Sequence, residues 1–206
     1  MVTCLAEETE STAGKSPVAV ATDLVKQGVY KAGIAILREA SDKGDPEAQY
    51  TLGNCYYEGI GVGQNFEEAA KYYRLAADQG FAWAQGNLGV CYLKGAGVSQ
   101  DYEEAMRLFH VAADQGDDVA IFNIGYCYYF GEGVEQNYEE GYRYFLQSAD
   151  MGVPIAMFAV GDCYYAGNGV EQDLEEAANW YRKALAEGYE PDETDREHLK
   201  EVVGED

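Results

Sequence analysis

The residues with the most chemical potential are four cysteines, Cys55, Cys91, Cys127 and Cys163, placed at one fixed interval along the chain. Thiols can join as disulfides or hold a metal, and both need partners close by. A disulfide tolerates at most ~7 Å between Cα atoms, and a zinc site needs several converging Cys or His ligands. One cysteine per interval, with no CxxC pair and no adjacent His, offers neither. If each stands at the same place in successive helix pairs, neighbours lie roughly 10 Å or more apart. They read as small buried thiols, and neither a metal nor another cofactor is expected.

Other chemistry is thin. The chain has 2 His, His110 and His198, and neither sits beside a Ser or Cys nucleophile in sequence. The run Gly59-x-Gly61-x-Gly63 has the look of a phosphate loop, but no strand pattern precedes it and no Lys-Ser/Thr follows, so it reads as a turn between helices. Paired glutamates such as Glu67 and Glu68 fall where a helix begins and complement its dipole. No catalytic residue is assigned, and the chain reads as a non-enzyme.

The cysteines belong to a larger pattern that must position everything else. At an offset of 36 residues the chain repeats itself: Ala48, Ala84, Ala120, Ala156; Gly53, Gly89, Gly125, Gly161; Tyr56, Tyr92, Tyr128, Tyr164; Gly59, Gly95, Gly131, Gly167; Gly61, Gly97, Gly133, Gly169; Val62, Val98, Val134, Val170. Repeats of this length are the mark of a solenoid. Each unit reads as two helices. In the first full unit helix A spans about Pro46–Glu58, capped by Asp45 and opened by Pro46, and the glycine loop ends it. Asn65 with Glu68 resembles a capping box for helix B, as do Asp101 with Glu104, Asn137 with Glu140 and Asp173 with Glu176. The stripe Phe66, Ala69, Ala70, Tyr73, Ala76, Ala77 then follows helical spacing to Gly80. Neither pair can bury its apolar face alone, so pairs stack.

The expected organisation is a disordered tail over 1–15 and a single repeat solenoid over 16–206. Within it, 16–44 is a degenerate first repeat, 45–80, 81–116, 117–152 and 153–188 are full repeats, and 189–206 is a capping helix in which Thr194 and Glu197 provide the cap. The fold class is all-α, a solenoid of stacked antiparallel helix pairs.

The unit defined by Ala48, Leu52-Gly53, Tyr56, Gly59, Gly61-Val62, Asn65 and Glu68-Ala69, then Ala76-Ala77 and Gly80, resembles the Sel1-like repeat family, relatives of tetratricopeptide repeats with a longer loop between helices. The resemblance covers Asp45 to Gly188, and Pro17 to Gly44 more weakly. Val160 and Gly141 depart from the Leu and Ala the family prefers and are expected to loosen packing locally. No unit carries the second cysteine of the family's secreted members. The resemblance implies a right-handed α-solenoid whose A helices line a concave groove, and a scaffold or adaptor role in protein binding. It places the groove at Tyr50, Gly86, Phe122, Phe158; at Asn54, Val90, Tyr126, Asp162; and at Tyr57, Leu93, Tyr129, Tyr165, with Trp83 one turn earlier. These positions vary between units, as a binding surface would; packing between neighbouring A helices is the other reading. Family analogy also raises a small-ligand binder or weak hydrolase of the β-lactam type, although no Ser-x-x-Lys motif occurs.

Charge bears on the partner. There are 14 basic and 37 acidic residues, a net charge of −23, which repels nucleic acid and anionic membranes and favours a protein or peptide with a basic surface. The same charge also serves solubility. No apolar run is long enough to span a membrane, and the start lacks the basic and apolar regions of a signal peptide. A monomer in the reducing cytoplasm is expected.

Overall fold

The computed structural model describes residues 15–204, so residues 1–14 of the expected tail, Cys4 among them, and residues 205 and 206 lie outside the described chain. The described residues form eleven α-helices and no strands: α1 Pro17–Lys26, α2 Tyr30–Asp42, α3 Pro46–Glu58, α4 Phe66–Ala77, α5 Ala82–Lys94, α6 Tyr102–Ala113, α7 Asp118–Phe130, α8 Tyr138–Asp150, α9 Pro154–Ala166, α10 Leu174–Ala186 and α11 Glu193–Val202. They group into two compact units, α1–α5 and α6–α11, divided after Gln100. Within each unit every helix packs mainly on the next one along the chain. This is the all-α solenoid architecture of stacked helix pairs.

Local chemistry sets the helix limits. In α3 the Asp45 carboxylate accepts from Ala48 N, and Pro46 opens the helix. Gly59, at φ +74°, closes it in the left-handed conformation that glycine adopts without strain. Gly95, Gly131 and Gly167 end α5, α7 and α9 in the same way. A glutamine five residues after each of these glycines supports the turn: Gln64, Gln100, Gln136 and Gln172 donate to the carbonyls of Tyr57, Leu93, Tyr129 and Tyr165 at 2.8–2.9 Å. These bonds satisfy carbonyls that the helix end would otherwise orphan.

Two capping expectations need correction. Asn65 and Asn137 accept from the backbone of Glu68 and Glu140, as expected. The glutamate carboxylates, however, turn one turn forward: Glu68 to Lys71, Glu104 to Arg107, Glu140 to Arg143. A charged partner on the exposed helix surface outcompetes the reach back to the cap backbone. In α11 the cap is Asp192, not Thr194. Its carboxylate accepts from Thr194 N and Asp195 N while Asp195 returns a bond to Asp192 N, which closes a reciprocal capping box.

Small residues determine how closely helices approach. A Cβ on Gly53 would lie 2.4 Å from the Tyr73 ring, and one on Gly161 would lie 2.5 Å from the Tyr181 ring, so α3 meets α4 and α9 meets α10 with a ring laid on bare backbone. Gly141 does not loosen its surroundings. A Cβ there would stand 3.0 Å from Cβ of Tyr129, so its absence lets α8 close on α7. Buried Val18, Leu37, Leu52 and Cys55 centre the core of the first unit, and Phe145, Val160, Cys163 and Tyr181 that of the second.

Candidate functional site

The A helices α3 and α5 of the first unit carry an aromatic cluster. Tyr50 lies 5.4 Å from Phe81 and 6.2 Å from both Tyr73 and Trp83, ring centre to ring centre. Trp83 is 57% exposed, the most exposed large apolar side chain of the described chain. Beside this cluster, Asn54 Oδ1 accepts from Tyr73 Oη at 2.8 Å and from Asn87 Nδ2 at 3.0 Å. Asn54, Tyr57, Val90 and Lys94 border a shallow depression there. Leu93 and Gly86 are buried and belong to the packing.

The A helices α7 and α9 of the second unit build a different face. Phe122, Tyr126, Tyr129, Phe158 and Asp162 line one cavity of about 170 Å³, joined by Phe130, Phe145, Ile155, Ala159, Tyr189 and Asp195. Its walls are held by ring contacts: Tyr126 to Phe130 at 4.5 Å, Tyr129 to Phe145 at 5.6 Å, Phe158 to Tyr189 at 4.6 Å. Asn168 Nδ2 donates to Tyr129 Oη, which fixes that ring from the loop. Tyr165 does not line the cavity. It stacks on His198 at 4.8 Å and donates to Glu201 of α11.

Two carboxylates stand on this cavity. Asp162 Oδ1 accepts from Tyr181 Oη at 2.8 Å and lies 3.3 Å from His198 Nδ1. Asp195 Oδ2 accepts from Tyr189 Oη at 2.6 Å. Burial raises the Asp162 carboxyl above the usual carboxylate range, with the Tyr181 bond and His198 opposing. Burial likewise raises the hydroxyls of Tyr126 and Tyr129, with the Asn168 bond opposing at Tyr129. Phe130 and Ile155 leave an apolar rim, 54% and 43% exposed.

The second helix-A row is not wholly free of the scaffold. Where the facing B-helix ring is a tyrosine, Tyr73 or Tyr181, the A-helix position nineteen residues earlier is Asn54 or Asp162, which accepts its hydroxyl. Where the ring is Phe109 or Phe145 the same position holds Val90 or Tyr126. Part of the variation that resembles a binding surface is therefore the buried hydroxyl's demand for an acceptor.

Sequence reasoning missed Tyr189, Asp195 and His198. The offset of 36 could have placed His198, because His198 and Glu201 stand at that separation from the Asp162 and Tyr165 they contact, whereas Tyr189 and Asp195 have no such counterpart. Helix α11 thus continues the helix-A register, with Leu199 buried in the place that Cys163 holds in α9. Phe130 was missed because it lies one step beyond the repeated positions, whereas Ile155 stands two repeats after Trp83 at the same place and the offset could have found it. His110 joins none of these groups. The four repeat cysteines are free, buried thiols. Among the described residues no group of His, Cys, Asp and Glu could hold a metal ion, and no helix is long and apolar enough to cross a membrane.

Helix pairs in a fixed repeat, with a ring-lined face on their first helices, define an α-helical repeat protein. The Sel1 repeat model matches at residues 46–81, 84–117, 118–153 and 154–189. The chain belongs to the Sel1 repeat family. It is similar to a Sel1 repeat protein from Oxalobacter formigenes, with 31% identity, a TM-score of 0.76, and coverage of 91% of this chain and 76% of that one. It is also similar to c5321, a protective antigen of uropathogenic Escherichia coli with an SLR fold, at 31% identity and a TM-score of 0.73; the match covers 94% of this chain but 42% of that one. A Sel1 repeat protein of Klebsiella pneumoniae, at 18% identity, a TM-score of 0.64, and coverage of 96% of this chain and 97% of that one, shares the fold. No curated protein matches the chain.

Proposed function

We propose that this chain is a non-catalytic interaction scaffold that seats a segment of a partner protein on its helix-A faces. The carrying observation is the cavity of the second unit, where rings and two carboxylates converge beside exposed Phe130 and Ile155. Rigid aromatics supply contact area at small entropic cost, which is how interaction hot spots are built. Phe122, Tyr126, Tyr129, Phe158 and Asp162 form the recess, and Tyr165 steadies its α11 side. On the first unit Tyr50, Asn54, Tyr57, Trp83 and Val90 offer a second contact surface, with Leu93 beneath it. The excess of acidic residues, net −23, favours a basic segment.

Capture from lysate with wild-type protein and with Phe130→Ala and Ile155→Ser tests this. Both substitutions fall on exposed side chains and should leave the circular dichroism unchanged. A partner lost with these variants, but kept with a change on an exposed B-helix residue such as Glu67→Gln, is expected. Undiminished capture by both variants would remove the helix-A face from consideration.

A further inference from the structure

We propose that the cavity between α7 and α9 receives an arginine side chain of the partner segment, its guanidinium held by Asp162 and Asp195 and its stem laid against the surrounding rings; this rests on the helix-A reading above. The carboxylate oxygens are used unevenly. The described bonds to Asp162, from Tyr181 and His198, fall on Oδ1. Those to Asp195, from Tyr189 and from Asp192 N, fall on Oδ2. Each group keeps a second oxygen, and both residues line the same cavity.

The walls narrow the choice of occupant. A wholly apolar group would strip water from two carboxylates and return no hydrogen bond, which disfavours it. An anion would be repelled. A cation satisfies both oxygens and also gains from the faces of Tyr126, Phe130 and Tyr189. Between the two cationic side chains the geometry favours guanidinium. It is planar, weakly hydrated and stacks on rings, and its fork of donors can address two carboxylates at once. An ammonium is compact and strongly hydrated, and it would have to give up more water to enter a ring-lined recess.

The test uses short acetylated, amidated peptides with a central arginine, citrulline or lysine, their binding measured by fluorescence anisotropy at physiological salt. Citrulline keeps the shape and loses the charge. Arginine should bind at least roughly tenfold more tightly than citrulline or lysine. Asp162→Asn should abolish that preference, and Glu67→Gln, which removes an equal charge from an exposed site, should not. Asp162→Asn is a mild change, because Asn54 already accepts a tyrosine hydroxyl at the matching position. Equal binding of arginine and citrulline, equal binding of arginine and lysine, or a preference that survives Asp162→Asn would overturn the proposal. The two readings separate cleanly. Peptide binding weakened by Phe130→Ala without arginine preference sinks only the arginine assignment, whereas binding indifferent to Phe130→Ala and Ile155→Ser sinks the helix-face reading itself.

Discussion

Tyr181 donates its hydroxyl to Asp162 across 2.8 Å, and Tyr73 makes the same bond to Asn54. Both rings are buried in the contact between the two helices of their pair. A hydroxyl in that place must find an acceptor or forfeit its hydration.

That pairing predicts a coupled pair of substitutions. Tyr181→Phe alone should cost about 1 kcal/mol or slightly more, at the low end for a charged acceptor because Asp162 keeps some contact with water. Asp162→Val alone should cost at least as much by leaving the Tyr181 hydroxyl unmet. The double variant restores the Val-and-Phe combination found at positions 90 and 109, and it should be more stable than the sum of the singles by about 1 kcal/mol. Urea denaturation of all four proteins measures the coupling; strictly additive losses would contradict it.

Glycine substitutions should divide by what a Cβ would meet. Gly167 and Gly169 both hold positive φ, +72° and +76°, so backbone strain is common to them. A Cβ on Gly169 would stand 2.2 Å from the carbonyl oxygen of Tyr138, which cannot swing aside, whereas on Gly167 it would meet the Gln172 side chain at 3.2 Å. Gly169→Ala should therefore destabilise more than Gly167→Ala by about 1–3 kcal/mol. At Gly63, where nothing lies within 4 Å, alanine should be neutral or stabilising by a few tenths of a kcal/mol. Thermal melts of the three variants rank them.

Asp117 makes stability depend on pH. It is 5% exposed and caps α7 through Val119 N and Ala120 N. Burial raises its pKa above the usual carboxylate value, with those two backbone bonds opposing. The folded state therefore binds this proton more tightly than the unfolded chain does. The contribution is fully present below the unfolded pKa and is lost as pH rises through the folded one. Asp117→Asn keeps a capping side chain and does not titrate. Relative to wild type it should gain stability as pH climbs from about 3 toward neutrality and then level off. A difference that stays constant across denaturation curves over that range would refute this.

The repeat thiols should be inert. Burial pushes Cys91 up to about 11 and Cys127 and Cys163 up to about 12, so little thiolate exists near neutrality. In a Cys4→Ser background, reaction with a disulfide reagent at pH about 8 should run at least roughly a hundredfold slower for native protein than in urea. Rapid labelling of the native chain would show that the helix pairs open readily.

Legibility in the sequence followed the physics of repetition. The helix pairs, Asp45 as a cap and Gly59 as a terminator could be read because each is a local rule applied several times over. The closure at Gly141 could not, since an absent methyl group looks like a loss until Tyr129 is seen against it. The cavity was half visible. Phe122, Tyr126, Tyr129, Phe158 and Asp162 lie on the repeated face, whereas Tyr189 and Asp195 come from the irregular end, where the pattern is diluted by charge. Leu93 shares the spacing of Tyr57 and Tyr129 yet turns inward, because an aliphatic side chain lacks the polar tip that keeps a tyrosine at the surface.

Helix α11 makes the chain extensible. It meets α9 at the repeat offset of 36 residues, through His198 and Glu201, with Leu199 buried in the same core. A tandem copy of residues 153–188 inserted ahead of it would present α11 with the same partners it has now. An unequal crossover within the coding sequence could thus lengthen the array in one event, with α11 carried along on the same contacts.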